Sequence, residues 1–301
     1  MGTLVGHVAS GLVFLVIGLW QLFNHIKLYC QHPKSYRPPI WFPAPKVRHL
    51  ELYFIMTGSA IYMILELFFA NSRHHPLDPA DWTIPSNHLH NFEHATISFA
   101  LFIYAAARGV LSFLLAAFAL TIELFIFYLH STDHAGVEWQ YHWLLLIAID
   151  VCLITTVMGI GFPTSFVVGF VRSVSVCLQG IWYIILGVML YTPRFISKGC
   201  TLQSDDGHLV HSCADHLALH RAKALVNLQF AWCLIVVAAI SLWFYVYMAK
   251  KYPEVPDYEC QAANGDEEDY FCESPKKMDL EEKSDNFLDV GKLFKPKDLK
   301  R

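Results

Sequence analysis

Seven apolar stretches alternate with polar segments along the chain. They are Thr3–Phe23, Leu50–Ala70, His90–Arg108, Val110–Leu129, His142–Gly159, Thr164–Tyr191 and Ala224–Met248. About twenty apolar residues are enough for an α-helix to cross a bilayer, so each stretch is a candidate span. The pattern therefore predicts an all-α polytopic membrane protein, a bundle of seven transmembrane helices embedded in a lipid bilayer. No Lys or Arg precedes Lys27, so we expect the first stretch to be a retained helix, not a cleaved signal peptide.

Charge divides the chain into two parts. Residues 1–249 carry 12 acidic and 12 basic residues, whereas residues 250–301 carry 14 acidic and 10 basic residues with few large apolar ones. A highly charged segment with little apolar surface to bury stays disordered. We expect a seven-helix transmembrane domain over 1–249 and a disordered, charged cytosolic tail over 250–301. Neither part has the composition of a nucleic-acid-binding protein.

The distribution of basic residues predicts an orientation. Cytoplasmic loops collect Lys and Arg. The loop after the first stretch and the end of the last stretch are both basic; the residues concerned are Lys27, Lys34, Arg37, Lys46, Arg48, Lys250 and Lys251. We therefore expect a lumenal or extracellular N-terminus and a cytosolic C-terminus, in an endomembrane or the plasma membrane. The spacing Gly2-x-x-x-Gly6 permits close helix pairing, and with it a homo-oligomer, without establishing one.

Histidines gather on one side of the predicted bundle. With this orientation, thirteen of the sixteen fall at the outer ends of the spans, and only His25, His32 and His49 fall at the inner ends. Imidazole binds metals and carries protons near neutral pH. Ionisable residues inside or beside lipid are costly, so a one-sided cluster of them indicates a use.

The spacing of these residues favours a metal site. His90 and His94 are four residues apart and share a helix face, whereas Glu123 and His130 are two helical turns apart. His and Glu side chains from different helices are suited to tetrahedral zinc. The sequence predicts a zinc site in the outer half of the bundle with His94, His130 and Glu123 as its core. Further candidate ligands are His7, His90, His134, His142 and His216.

Several motifs together resemble the transmembrane protein 45 family, in a plant-like form, over about residues 1–250. They are Gly6-His7, Ile17–Trp20, Glu51, His94, Glu123 through Phe125–Tyr128 to His130, His142, Leu178–Gly180 with Trp182, and Asp215-His216. The resemblance implies a seven-helix endomembrane or plasma-membrane protein without an established enzymatic activity. In plants it implies an association with responses to viruses and stress.

Three alternative functions stay open. Ser86-x-x-x-His90, Asp133 and His216-x-x-x-His220 resemble the residue pattern of seven-helix zinc lipid hydrolases of the alkaline ceramidase and adiponectin receptor type. A proton or metal-ion transporter would need a polar path to the cytosol, for which Asp150, Glu51 and Arg172 are candidates. A non-catalytic trafficking or scaffold protein would need none of these residues. Separately, Cys200 and Cys213 share one outer loop and are suited to a disulfide if that side is lumenal.

Overall fold

The computed structural model describes residues 4–69, 76–107, 111–133, 136–205 and 208–255. This part of the chain forms seven α-helices, which confirms the predicted all-α membrane bundle. They are α1 (Leu4–Gln31), α2 (Leu50–Ile64), α3 (Leu89–Ala106), α4 (Ser112–Asp133), α5 (Gly136–Gly161), α6 (Phe166–Tyr191) and α7 (His216–Lys251). A π-helical turn, Leu65–Phe69, extends α2, and a 3-10 turn, Ser86–His88, leads into α3.

Six helices in the described residues are long and apolar enough to cross a membrane: α1, α2 with its π-helical turn, α4, α5, α6 and α7. The helix α3 has 18 residues, fewer than any of these six candidate spans, and it carries His90, Asn91, Glu93 and His94 in its first two turns. It packs against α2 and α4. A seventh membrane crossing at α3 therefore stays a prediction.

Local capping explains where two helices begin. The helix α7 begins at His216, eight residues before the predicted start, because the Asp215 side chain accepts a hydrogen bond of 2.7 Å from the backbone N–H of Ala218. The Ser165 side chain similarly accepts from the N–H of Val168 at 3.4 Å and begins α6. The apolar pattern marks the membrane core of a helix, whereas polar caps extend it beyond that core.

The helices α1 and α6 are in backbone contact. A Cβ atom added at Gly180 would lie 2.5 Å from the backbone nitrogen of Leu15 and 2.7 Å from the carbonyl oxygen of Gly11. A Cβ atom added at Gly18 would lie 2.6 Å from the backbone nitrogen of Cys177. Glycines allow such approach because no side chain separates the backbones, which is a common way for membrane helices to associate.

The main apolar core lies where α5, α6 and α7 meet. Trp182 is fully buried there, and its ring centroid lies 4.8 Å from that of Phe230 in an edge-to-face contact. Its indole N–H donates a 3.0 Å hydrogen bond to the carbonyl oxygen of Tyr141. The polar end of this large side chain therefore has a partner, as a buried tryptophan requires.

A short hairpin joins α6 to α7. Its antiparallel strands are β1 (Cys200–Asp205) and β2 (His208–Cys213), and Cys200 forms a disulfide with Cys213, the pairing that the sequence analysis considered. His211 Nε2 donates a 2.8 Å hydrogen bond to the carbonyl oxygen of Leu190, which fastens the hairpin to the end of α6.

The two ends of the bundle differ in chemistry. We call the end with His7, His90, His130 and His142 the histidine end, and the opposite end, with His25 and Arg172, the arginine end. His74, His75 and His134 lie outside the described residues. So does the tail from residue 256 onward, for which the sequence predicts disorder.

Candidate metal centre

Five histidine rings form a continuous group at the histidine end. His130, near the end of α4, contacts three of them: its ring centroid lies 4.8 Å from that of His90 and 5.3 Å from those of His94 and His142. His7, near the start of α1, lies 6.2 Å from His142 between ring centroids. Residues from α1, α3, α4 and α5, far apart in the sequence, therefore meet at one end of the bundle.

Glu93 joins two of these histidines. Its Oε2 atom accepts hydrogen bonds from Nδ1 of His90 at 3.1 Å and from Nδ1 of His130 at 2.9 Å. His90 and Glu93 are three residues apart on α3, and His130 reaches them from α4. One carboxylate oxygen thus connects the two helices, and charge assistance strengthens both hydrogen bonds.

His90, Glu93 and His130 have the geometry of a metal site. One ligand atom from each residue lies within 4.8 Å of the other two. Their side chains are 39%, 28% and 8% exposed in the same order, so the group is open on the His90 side and closed on the His130 side. Two imidazoles and a carboxylate are a common zinc ligand set, and three protein ligands leave a fourth position for water or another side chain.

His94 and His142 lie next to this group and have different environments. His142 Nδ1 donates a 2.9 Å hydrogen bond to the carbonyl oxygen of Glu138, so in the neutral ring Nε2 carries the lone pair. His94 is buried, and its Nδ1 atom has no hydrogen-bond partner among the described residues. An unpaired buried nitrogen costs free energy, so His94 is a candidate for the fourth ligand.

His7 approaches the group because of a glycine on α6. A Cβ atom added at Gly187 would lie 2.7 Å from the Cβ of His7, so a larger residue there would push α1 away. The His7 ring lies 5.5 Å from the Tyr191 ring, between centroids, at the end of α6. His7 therefore joins the group through its contact with His142.

Glu123 lies deeper in the bundle than the histidines. It is two helical turns from His130 along α4, which is about 10 Å. Its side chain is fully buried, and the Tyr183 hydroxyl is the polar neighbour of its carboxylate. The carboxylate that contacts His130 is therefore that of Glu93, and Glu123 lies apart from it.

Two predicted ligands are left, His216 and His134. His216 is exposed at the first turn of α7, and His220, one turn further, is also exposed. His134 lies outside the described residues, as does the side chain of Asp133. Among the described side chains of the pattern shared with zinc lipid hydrolases, His90 is the one that belongs to the histidine group.

The residues considered for a transport path have different environments. Asp150 is exposed on α5, whereas Glu51 and Arg172 are buried near each other at the arginine end. Glu123 and Tyr183 are a further buried polar pair, on α4 and α6, that the sequence pattern did not link.

The sequence analysis undervalued Glu93. Glu93 lies between His90 and His94 in the sequence, but the predicted ligand set contains Glu123 in its place. The available signal was the spacing of three from His90, which puts both side chains on one face of α3. Which face of α3 meets α4 depends on packing between helices, and no local pattern shows it.

A comparison with known families finds one match over the second half of the bundle. Residues 109–246 match the model of a family described as "Family of unknown function (DUF716)", the family of transmembrane protein 45-like proteins. The matched segment runs from the start of α4 into α7 and contains Glu123, His130 and His142. Over these residues the chain is similar to a family for which no activity is stated.

Proposed function

We propose that this multi-span membrane protein binds a zinc ion at its histidine end through His90, Glu93 and His130. The observation that carries the proposal is the Glu93 oxygen held between the Nδ1 atoms of two histidines from different helices. These atoms already lie at the separations that a tetrahedral ligand set needs. His94 and His142 lie next to this triad, and both are candidates for the fourth zinc ligand.

The proposed ion links α3 to α4, so its first effect is on the stability of the bundle. A ligand that binds only the folded state stabilises it by about 2.7 kcal/mol at a concentration 100 times its Kd. The helix α3 is shorter than the six candidate spans, and its first two turns are polar. It therefore gains most from a fixed partner. The exposed side of His90 would give water or a small ligand access to the ion.

We propose that the histidine end faces the lumen or the exterior. The basic residues Lys250 and Lys251 lie at the opposite end, as expected for a cytosolic surface. The Cys200–Cys213 disulfide lies at the histidine end, and such bonds persist in oxidising compartments. The resemblance to plant-type proteins adds the proposal that the action of this protein belongs to responses to viruses and stress.

The test is elemental analysis of detergent-purified protein prepared without chelators. We expect about one zinc per chain, lost in Glu93→Gln and in His130→Ala. His216→Ala is the matched control, because His216 is an exposed histidine in a first helical turn, and it should keep its zinc. Absence of metal from the parent protein, or equal zinc in all variants, would overturn the proposal.

A second readout separates binding from misfolding. Zinc added to metal-free parent protein should raise its unfolding temperature, and the same addition should not change Glu93→Gln. If Glu93→Gln is monodisperse and unfolds cooperatively but gives no response to zinc, its defect is in metal binding. A full zinc response in this variant would contradict the assignment of Glu93 as a ligand.

A further inference from the structure

A second polar feature lies inside the bundle towards its arginine end. A partly open cavity of about 120 Å³ is lined by residues from α1 to α6. Most of its wall is apolar, formed by residues such as Val13, Phe14, Ile55, Leu101, Phe113 and Leu120. Its polar wall includes Gln21, Ser59, Thr156 and Arg172. An apolar cavity with a few polar groups at one end is typical of a ligand site.

Arg172 is the only one of these wall residues that always carries a charge. Its side chain is 8% exposed, and its Cζ atom lies 5.0 Å from the centroid of the Phe113 ring. Within the described part of the chain, no carboxylate oxygen lies within 4.0 Å of its guanidinium. The nearby Glu51 uses Oε1 to accept from Gln21 and Oε2 to accept from the N–H of Phe42.

The direct partner of Arg172 does not supply a negative charge. Arg172 Nη2 donates to His25 Nε2 at 3.3 Å, and because Arg cannot act as an acceptor, Nε2 must carry the lone pair. His25 Nδ1 then holds the ring proton and donates to the hydroxyl oxygen of Tyr36 at 2.6 Å. His25 is therefore neutral. The other N–H donors of the buried guanidinium have no anion in direct contact within the described part of the chain.

The bundle also makes room for this guanidinium. A Cβ atom added at Gly159 would lie 3.3 Å from Arg172 Nη1, so α5 passes close to the charged group without a side chain in between. A buried charge with no carboxylate in direct contact is unfavourable, even with Glu51 nearby, so this position favours an anionic occupant. The planar fork of arginine matches a carboxylate, with two parallel hydrogen bonds.

We propose that the cavity binds a single-chain carboxylate amphiphile of the fatty-acid type. The carboxylate contacts Arg172, and the hydrocarbon chain lies along the apolar wall towards Val13, Ile55 and Leu101. Arg172 lies six residues into α6, about 9 Å from its start, which is near the depth of lipid carboxyl groups. A volume of about 120 Å³ is close to that of a cavity that holds one benzene-sized group, so it takes the carboxylate and the first methylene groups of a single chain. The rest of the chain leaves through the open side of the cavity, and a two-chain phospholipid is too large. This site is separate from the metal centre and does not depend on it.

The test is binding of radiolabelled dodecanoate to the full chain in detergent, with unlabelled dodecanol and dodecyl phosphate as competitors. We expect one dodecanoate per chain and at least tenfold weaker competition by dodecanol, because the alcohol has no charge for Arg172. Dodecyl phosphate should also compete more weakly than dodecanoate. Equal competition by dodecanol, or stronger competition by dodecyl phosphate, would overturn the assignment to a carboxylate.

Three variants locate the site. Arg172→Gln should weaken dodecanoate binding at least tenfold and remove the preference over dodecanol. Thr156→Leu fills the buried wall without changing the charge, and it should weaken binding of both compounds. Arg194→Gln changes an exposed arginine in the turn after α6 and should bind as the parent does. Parent-like binding by Thr156→Leu would contradict the site, even if Arg172→Gln does not fold.

Discussion

Two glutamates in the outer half of the bundle are buried to different extents and have different partners. Glu93 is partly exposed, and one of its oxygens accepts hydrogen bonds from two histidines. Glu123 is fully buried, with the Tyr183 hydroxyl as its polar neighbour. A charged carboxylate in such a place costs far more free energy than a neutral group of the same shape.

This difference predicts opposite results for the same substitution at the two positions. Glu123→Gln should keep its zinc and be at least as stable as the parent, because an amide has no charge to desolvate. Glu93→Gln should lose the zinc. The measurement is zinc content together with the unfolding temperature of each purified variant. Zinc loss in Glu123→Gln would instead support the sequence prediction that Glu123 is a zinc ligand.

The sequence could predict which residue types gather and at which end. His90, His94, His130 and His142 lie together at one end because span boundaries and alternating helix directions place them there. It could not predict the partner of His130, because Glu93 and Glu123 are both compatible with helical spacing. The choice depends on the rotation of α3 about its axis, which is set by packing against α2 and α4.

At the scale of elements, the contact between α1 and α6 is the closest approach of two helices described above. Gly11, Gly18 and Gly180 allow it, and a Cβ atom at any of them would meet backbone within 2.5–2.6 Å. Backbone cannot move aside as a side chain does, so a larger residue must separate the helices. Overpacking of this kind costs about 1–3 kcal/mol.

Two glycine variants test this contact. Gly180→Ala should lower the unfolding temperature, because its new methyl group would meet the backbone of Leu15. Gly58→Ala in α2 is the matched control, since nothing lies within 4 Å of the Cβ that it adds. It should be neutral or stabilising by up to about 1 kcal/mol, as alanine favours helix more than glycine does. Equal effects of the two changes would contradict the close contact.

Helix boundaries show what local sequence leaves out. The apolar stretch of the last span predicts a start at Ala224, but α7 begins at the Asp215 cap, before a polar first turn. The hairpin of β1 and β2 was not predicted at all. Its strands are six residues each and lie outside the apolar pattern; the disulfide and the contact of His211 with α6 support them.

For the whole molecule, the two ends have distinct redox and charge properties. The Cys200–Cys213 disulfide lies at the histidine end, whereas Cys30 lies in the last turn of α1 at the opposite end. The disulfide and Cys30 lie at opposite ends because successive helices run in alternating directions. The predicted bundle and its membrane character could be read from apolar length. This includes α3 (Leu89–Ala106), which matches the predicted stretch His90–Arg108, although it is not among the six helices apolar enough to cross a membrane.

Thiol labelling of sealed, right-side-out vesicles tests the proposed orientation. The background variant replaces Cys260 and Cys272 of the tail with Ser. A membrane-impermeant maleimide should label Cys200 and Cys213 only after reduction by an impermeant reductant, and Cys30 only after permeabilisation. Labelling of Cys30 in intact vesicles would show the opposite orientation. Replacing Cys30 with Ser identifies its signal.

The contact between α1 and α6 also bears on how the chain is assembled during synthesis. The first helix ends at Gln31, and its glycine partner helix is complete only at Tyr191, 160 residues later. At about 5–20 residues per second, the ribosome needs roughly 8–30 s to make that interval. During this time the glycine face of α1 has only lipid or an insertion factor to contact, and His7 cannot yet rest against Gly187. Closure of the histidine end is therefore a late event in biogenesis, after five more helices have been made.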